Sequence, residues 1–203
     1  MRPPSERGFT LVELILALSI VGALLAVTFG GLHVGLAAWR QGEDRAEAQQ
    51  HARSLTQVLG RALAGAYPYR ATASAGGQPG LLFTGEGDRL AFVTAAPPLP
   101  SPIPVAFTAV TLSIEQGDTP ALAVRQKVLP NAEPFESTKP VLLDPAVTLL
   151  RFRYLRDGGS WEDRWEASND DGLPRAVEVT VTTRLGQRTV EYPPLTVSIR
   201  VTP

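Results

Sequence analysis

The residues best placed to do chemistry lie near the start of the chain, where Gly8 is followed by Phe9 and, four residues later, by Glu13. The junction between Gly8 and Phe9 separates a polar leader from the residues that follow, and the Glu13 carboxylate is able to pair with a cation. From Leu14 to Trp39 there is no Asp, Glu, Lys or Arg. A carboxylate inside a bilayer costs on the order of 2.5 to 3.5 kcal/mol, so Glu13 needs a partner or a place at the membrane surface.

The apolar run that follows is long enough to cross a membrane. A helix rises about 1.5 Å per residue, so residues 9–39 can span a hydrocarbon core of roughly 30 Å. In a secretory signal peptide the apolar stretch comes before the cleavage site and is removed. Here the polar leader, residues 1–8, comes first, so cleavage after Gly8 would remove the leader and keep the helix. We predict a permanent membrane anchor.

The residues from Gly8 to Leu14 resemble the start of the type IV pilin-like family. The resemblance implies that a prepilin peptidase cuts after Gly8 and methylates the new terminal residue, Phe9. It also implies that Glu13, the fifth residue after the cut, pairs with the terminal amine of a neighbouring subunit and sets the axial register of a filament. For Glu13 taken alone, the alternative is a carboxylate that reaches the lipid headgroups from the end of the helix.

Orientation is predicted from the cationic leader and from the same resemblance. Arg2 and Arg7 precede the span, and the positive-inside rule places such a leader in the cytoplasm. Arg40 and Arg45 flank the other side, so the charge signal is modest. We expect a single pass of the bacterial inner membrane, in contact with its lipid, with the C-terminal domain in the periplasm.

The rest of the chain is predicted to fold as one exported domain. Residues 40–67 continue the helix, and their apolar residues recur at spacings of three and four, which favours packing of one face. Pro68 ends the helical pattern. Residues 68–203 form a β-rich domain in this prediction, and the fold class is α+β, with the long helix packed on an antiparallel sheet.

Alternating apolar and polar residues predict the strands of this domain. We expect a hairpin that joins residues 81–83 to residues 90–93, and strands at residues 105–115, 121–129, 146–156, 175–184 and 189–201. Each of the strands after the hairpin is expected to have one buried face and one face in water. Pro193 and Pro194 break the last segment, which places its end in a separate strand near an edge.

The other reactive residue types do not favour an enzyme. The chain has no cysteine, which excludes disulfides, thiolate metal sites and a cysteine nucleophile. His33 lies in the apolar span and His51 on the exported helix, so no serine or carboxylate of the β domain is expected beside either ring. Glu162 and Asp163 are adjacent, but adjacency does not give the separation of roughly 5 to 9 Å between glycosidase carboxyl groups. We predict no catalytic site and no cofactor.

Metal ions and nucleic acids are also not expected as partners. Asn169, Asp170 and Asp171, followed by Gly172, offer oxygen atoms that suit Ca²⁺ but lack the full spacing of a calcium loop. A turn explains this run better, and we predict no metal site. The net charge of −1 supplies no basic field for nucleic acid.

Residues in the C-terminal half of the chain point to one subgroup of this family. Trp161 and Trp165, followed by Leu173 and Pro174 ahead of a Val-rich strand, resemble the J-type minor pseudopilins of type II secretion. The resemblance implies a structural subunit of the tip complex that primes pseudopilus assembly, with other minor pseudopilins and the major pseudopilin as partners. The tryptophans are expected to pack within the domain, and a sugar-binding or partner-binding surface is the alternative.

Two other functions stay open on sequence alone. A minor pilin of a type IV pilus or DNA-uptake filament would share the chemistry at Gly8 and Phe9 but have different partners. A membrane-anchored periplasmic binding or hydrolytic domain would keep an uncleaved anchor.

Overall fold

The computed structural model describes residues 9–71, 80–101, 104–136, 139–167, 172–185 and 188–199. A helix of 54 residues, α1 (Leu11–Ala64), comes first and is followed by short β strands. The chain divides into two compact units, and the boundary between Glu47 and Ala48 falls within α1.

The described residues of the first unit belong mainly to the N-terminal part of α1. It contains an 18-residue window with a mean hydropathy of 2.5, and none of this window is buried. The hydroxyl groups of Ser19 and Thr28 donate to the carbonyl oxygens of Ile15 and Leu24, each at 2.8 Å. These bonds satisfy the polar side chains within the helix, as a lipid environment requires. By length and composition, α1 is able to cross a membrane.

Six strands of the second unit form the first sheet. They are β1 (Phe83–Gly85), β2 (Arg89–Thr94), β3 (Thr108–Glu115), β4 (Ala121–Val128), β5 (Leu142–Asp144) and β8 (Trp165–Glu166). Their order across the sheet is β5, β4, β3, β2, β1, β8, and every neighbouring pair is antiparallel. β1 and β2 are the two arms of the predicted hairpin.

Five strands form the second sheet, again with antiparallel pairs. They are β6 (Val147–Leu155), β7 (Trp161–Glu162), β9 (Ala176–Leu185), β10 (Arg188–Glu191) and β11 (Leu195–Ser198). The order is β10, β9, β6, β7, and β11 also pairs with β9. Pro193 and Pro194 separate β10 from β11 because proline has no N–H to give to a ladder.

One apolar core joins α1 to both sheets. From the helix it takes Leu55, Leu59, Ala62 and Leu63, which lie on one face at the predicted spacing, and Ala66 adds its side chain just after the helix end. The first sheet adds its inward residues, among them Phe83, Phe92 and Leu112, and the second sheet adds residues such as Leu150, Phe152 and Val179. Burial of this shared face, and not intrinsic helix propensity, is what stabilises the second half of α1.

The end of α1 is fixed by contacts with β2. The Thr94 hydroxyl donates to the carbonyl oxygen of Ala62 at 2.7 Å and thus satisfies one of the carbonyl groups that a helix end leaves free. A Cβ on Gly65 would lie 2.9 Å from the side chains of Ala96 and Thr94, so the chain needs glycine where it leaves the helix. Pro68 follows shortly after.

The α+β class is confirmed, and the long strands lie close to their predicted positions. β6 alternates between buried and exposed residues as expected, but β2 and β3 are buried on both faces. The prediction of one face in water is therefore wrong for β3, whereas β2, an arm of the hairpin, carried no such prediction. Their outer face is covered by a second apolar cluster, in which Tyr69, Phe107 and Phe135 pack against Val93 and Ala109.

Two further features differ from the prediction. The strands form two sheets and not one, and the short strands β5, β7 and β8 were not predicted. Two predictions concern residues outside the described ranges: the leader with Gly8, and the run from Asn169 to Asp171.

Candidate functional site

The N-terminal motif forms a capped helix start. The Glu13 N–H group lies 3.3 Å from the Thr10 hydroxyl oxygen and 3.1 Å from the Thr10 carbonyl oxygen. In return, Glu13 Oε2 accepts from the Thr10 N–H at 3.5 Å and from the Thr10 hydroxyl at 3.4 Å. This reciprocal arrangement is a capping box, which satisfies donors that the first turn of a helix leaves without partners.

The cap places the Glu13 carboxylate at the positive end of the helix dipole, where a negative charge is stabilised. Both Thr10 and Glu13 are exposed, and the side chain of Phe9, just before the cap, is 81% exposed. The described chain thus presents an aromatic residue and a carboxylate together at the tip of an apolar rod. Gly8 lies outside the described residues.

Thr10 is the residue of this site that our sequence analysis missed. Its signal was present, since a threonine followed three residues later by a glutamate, just before an apolar run, is the sequence pattern of a capping box. Thr10 gives Glu13 a partner within its own chain. The two partners predicted from sequence were the terminal amine of a neighbouring subunit and the lipid headgroups.

The prediction that no carboxylate of the β domain lies beside a histidine is wrong for His51. Its Nε2 atom lies 2.7 Å from Oδ2 of Asp144, the last residue of β5. No local sequence pattern indicates this pair, because the two residues are 93 positions apart. In the described part of the chain no hydroxyl group hydrogen-bonds the His51 ring, so a nucleophile of the kind that a Ser–His–Asp triad needs is not found there.

A metal centre is not found in the described residues either, where no group of three or more His, Cys, Asp or Glu side chains is arranged to hold an ion. The run from Asn169 to Asp171 lies outside those residues.

The two tryptophans take different positions. Trp165 is buried, its indole N–H donates to the Gly172 carbonyl oxygen at 2.9 Å, and the Arg156 guanidinium lies 5.0 Å from its ring centroid. This agrees with the predicted packing role. Trp161 is half-buried, with the Arg153 guanidinium 5.8 Å from its ring centroid. A stacked cation of this kind stabilises the ring position by cation–π attraction.

A long apolar N-terminal helix that begins with this motif and ends against a β domain defines a pilin-like protein. The family model for the prokaryotic N-terminal methylation motif matches residues 3–29, which include Gly8, Phe9 and Glu13. A second family model, described as type II secretion system (T2SS) protein J, matches residues 30–192. The chain belongs to the type II secretion system protein J family, which confirms the resemblance to J-type pseudopilins.

A curated relative gives the same family. The chain is 32% identical over 94 residues to the type II secretion system protein J of Xanthomonas campestris pv. campestris. The match covers 46% of this chain and 44% of the relative, so it spans less than half the length of either protein.

Proposed function

We propose that the chain is a minor pseudopilin of type II secretion: a structural subunit of the tip complex that primes pseudopilus assembly for protein export across the outer membrane. The observation that carries the proposal is the order of the two family matches, with a methylation motif on residues 3–29 followed by the protein J family on residues 30–192. Its partners are other minor pseudopilins, the major pseudopilin and the prepilin peptidase.

The proposed processing takes place at the N-terminal motif. The peptidase cleaves after Gly8 and methylates Phe9, and the exposed position of Phe9 ahead of the helix supports access to this bond. The mature chain then begins four residues before Glu13, with a new amine next to the capped helix start.

Glu13 serves assembly in this proposal. In the isolated chain its carboxylate bonds Thr10, which offsets part of the cost of a charge near the bilayer. In the filament the same carboxylate pairs with the Phe9 amine of a neighbouring subunit. An exposed cap can be exchanged for an ion pair at small cost, because neither partner has to leave a packed core.

The apolar helix and the family support a single-pass anchor in the inner membrane, and we propose that this anchor is in contact with the lipid. We propose that the leader stays in the cytoplasm and that the domain that begins near Ala48 lies in the periplasm. The protein acts mechanically, with no catalysis, no cofactor and no nucleic acid among its partners.

The N-terminus of the mature protein tests this function. Mass spectrometry of the chain purified from membranes should find a methylated Phe9 as the first residue, and a strain without prepilin peptidase should give the chain starting at Met1. Cross-linked complexes should then contain pseudopilins. An uncleaved chain in the normal strain would contradict the proposal, and complexes with pilus subunits would indicate a type IV pilus instead.

A further inference from the structure

Two side chains from different sheets hold α1 where the second unit begins. His51 Nε2 lies 2.7 Å from Asp144 Oδ2, and the Tyr192 hydroxyl donates to the Ala48 carbonyl oxygen at 3.4 Å. Asp144 ends β5, an edge strand of the first sheet, whereas Tyr192 follows β10, an edge strand of the second sheet. Because Ala48 and His51 are three residues apart, the same helical turn is held from both sheets.

Both anchors are fixed by their own surroundings. Asp144 is 8% exposed, and its Oδ1 atom accepts the Ala146 N–H at 3.0 Å, which turns the other oxygen towards His51. The backbone N–H of Tyr192 donates to the Val181 carbonyl oxygen at 2.9 Å. A buried carboxylate is costly without a partner, so Asp144 depends on the His51 contact more than an exposed residue would.

Apolar packing contributes little at this turn. Ala48 is half-buried and Ala52 is buried, but both side chains are a single methyl group. The first large buried side chain of the helix is Leu55, followed by Leu59 one turn later. The polar contacts of His51 and Tyr192 therefore matter here more than they would further along the helix, where apolar area dominates.

We propose that His51, Asp144 and Tyr192 form a helix clamp, a releasable device that fixes the first two turns of the domain's helix, Ala48 to Leu55, to both sheets. The His51 side chain is 44% exposed, so water reaches the stronger of the two contacts and the clamp opens without unfolding the core. The state of the clamp determines the residue of α1 at which the helix is first held to the two sheets. It rests on contacts within the second unit and is independent of the proposed function.

Amide hydrogen exchange of the full chain in detergent micelles, read by mass spectrometry, tests the clamp. His51→Ala should raise the exchange rate of peptides covering residues 48–55 by about tenfold, the factor that follows from the loss of one charge-assisted hydrogen bond. Alanine is the best helix former, so a faster rate would not come from lower helix propensity. Exchange in residues 59–66 should stay unchanged.

Further variants separate a clamp from a general loss of stability. Tyr192→Phe removes only a hydroxyl group and should give a smaller increase in the same peptides. Gln50→Ala changes an exposed neighbour on the same turn and should have no effect. Unchanged exchange at residues 48–55 in both His51→Ala and Tyr192→Phe would overturn the proposal, as would an increase spread evenly over the helix and both sheets.

Discussion

Thr94 and Thr108 face each other across β2 and β3, both are buried, and their side chains have opposite roles. The Thr94 hydroxyl donates to the Ala62 carbonyl oxygen at 2.7 Å and accepts the Ala96 N–H at 3.0 Å. The Thr108 hydroxyl has no hydrogen-bond partner among the described residues. One member of the pair closes the end of α1, and the other carries a buried polar atom that no group in the described part of the chain hydrogen-bonds.

This contrast predicts opposite results for the same substitution. Thr94→Val leaves a carbonyl and an N–H group without partners and should lower the free energy of unfolding by about 1 to 3 kcal/mol. Thr108→Val removes an unpaired hydroxyl at nearly constant volume and should be neutral or slightly stabilising. Urea unfolding of the two variants, followed by circular dichroism, measures both. Equal losses in the two variants would contradict the assignment of their hydrogen bonds.

The second prediction concerns the contact between Gly85 and Tyr154. A Cβ on Gly85 would overlap the ring and hydroxyl of Tyr154, which is fully buried. Gly85→Ala should therefore lower the stability by about 1 to 3 kcal/mol through overpacking, or about 2 to 4 °C in Tm for each kcal/mol. The matched control is Gly87→Ala in the same hairpin, where the new Cβ would meet its nearest neighbour at 4.0 Å. Thermal unfolding should show a shift for the first variant alone.

The third prediction is a pH dependence that originates at Tyr154. Burial, followed by the nearby carboxylates of Glu86 and Asp88, raises the pKa of the Tyr154 phenol well above its ordinary value. A raised pKa means that the folded state holds its proton while the unfolded chain loses it above about pH 10. The contribution to stability is thus fully present below pH 10 and falls as the pH rises further.

Tyr154→Phe isolates this effect. The variant loses the hydrogen bond from the hydroxyl to the Glu86 carbonyl oxygen, 2.9 Å long, and should be less stable at pH 8 by about 0.5 to 1.5 kcal/mol. Between pH 10 and pH 11 the original chain should lose up to about 1.4 kcal/mol more than the variant. Denaturant unfolding at pH 8, 10 and 11 compares the two proteins, and parallel curves would argue against a raised pKa.

The fourth prediction separates capping from assembly at the N-terminal motif. Glu13→Leu should leave export and folding of the domain intact while it reduces incorporation into the pseudopilus. Thr10→Val removes the cap hydroxyl, at a cost of about 0.5 to 2 kcal/mol in helix stability, but keeps the carboxylate. Co-purification with other pseudopilins should fall for the first variant and persist for the second. If both variants assemble equally poorly, Glu13 acts mainly through the cap.

Much of this molecule could be predicted from local sequence. The charge-free run gives the apolar half of α1, Pro68 marks the chain's departure from the helix, and the alternation around Phe152 gives β6 with its buried and exposed faces. The pattern from Gly8 to Glu13 carries the resemblance to the family, and the family models confirm that resemblance. These features depend on residues that are close in the chain, so their spacing alone carries the information.

Contacts between residues that are far apart in the chain could be assigned only from the tertiary structure. β5 has only three residues, and it is a strand because Leu122 pairs with Asp144 and Val124 with Leu142. The contact of His51 with Asp144 and the different roles of Thr94 and Thr108 follow from the same pairing of distant segments. Local periodicity reports which face of an element is apolar. It cannot report which other element covers that face, because that choice is made by the burial of apolar area over the whole domain.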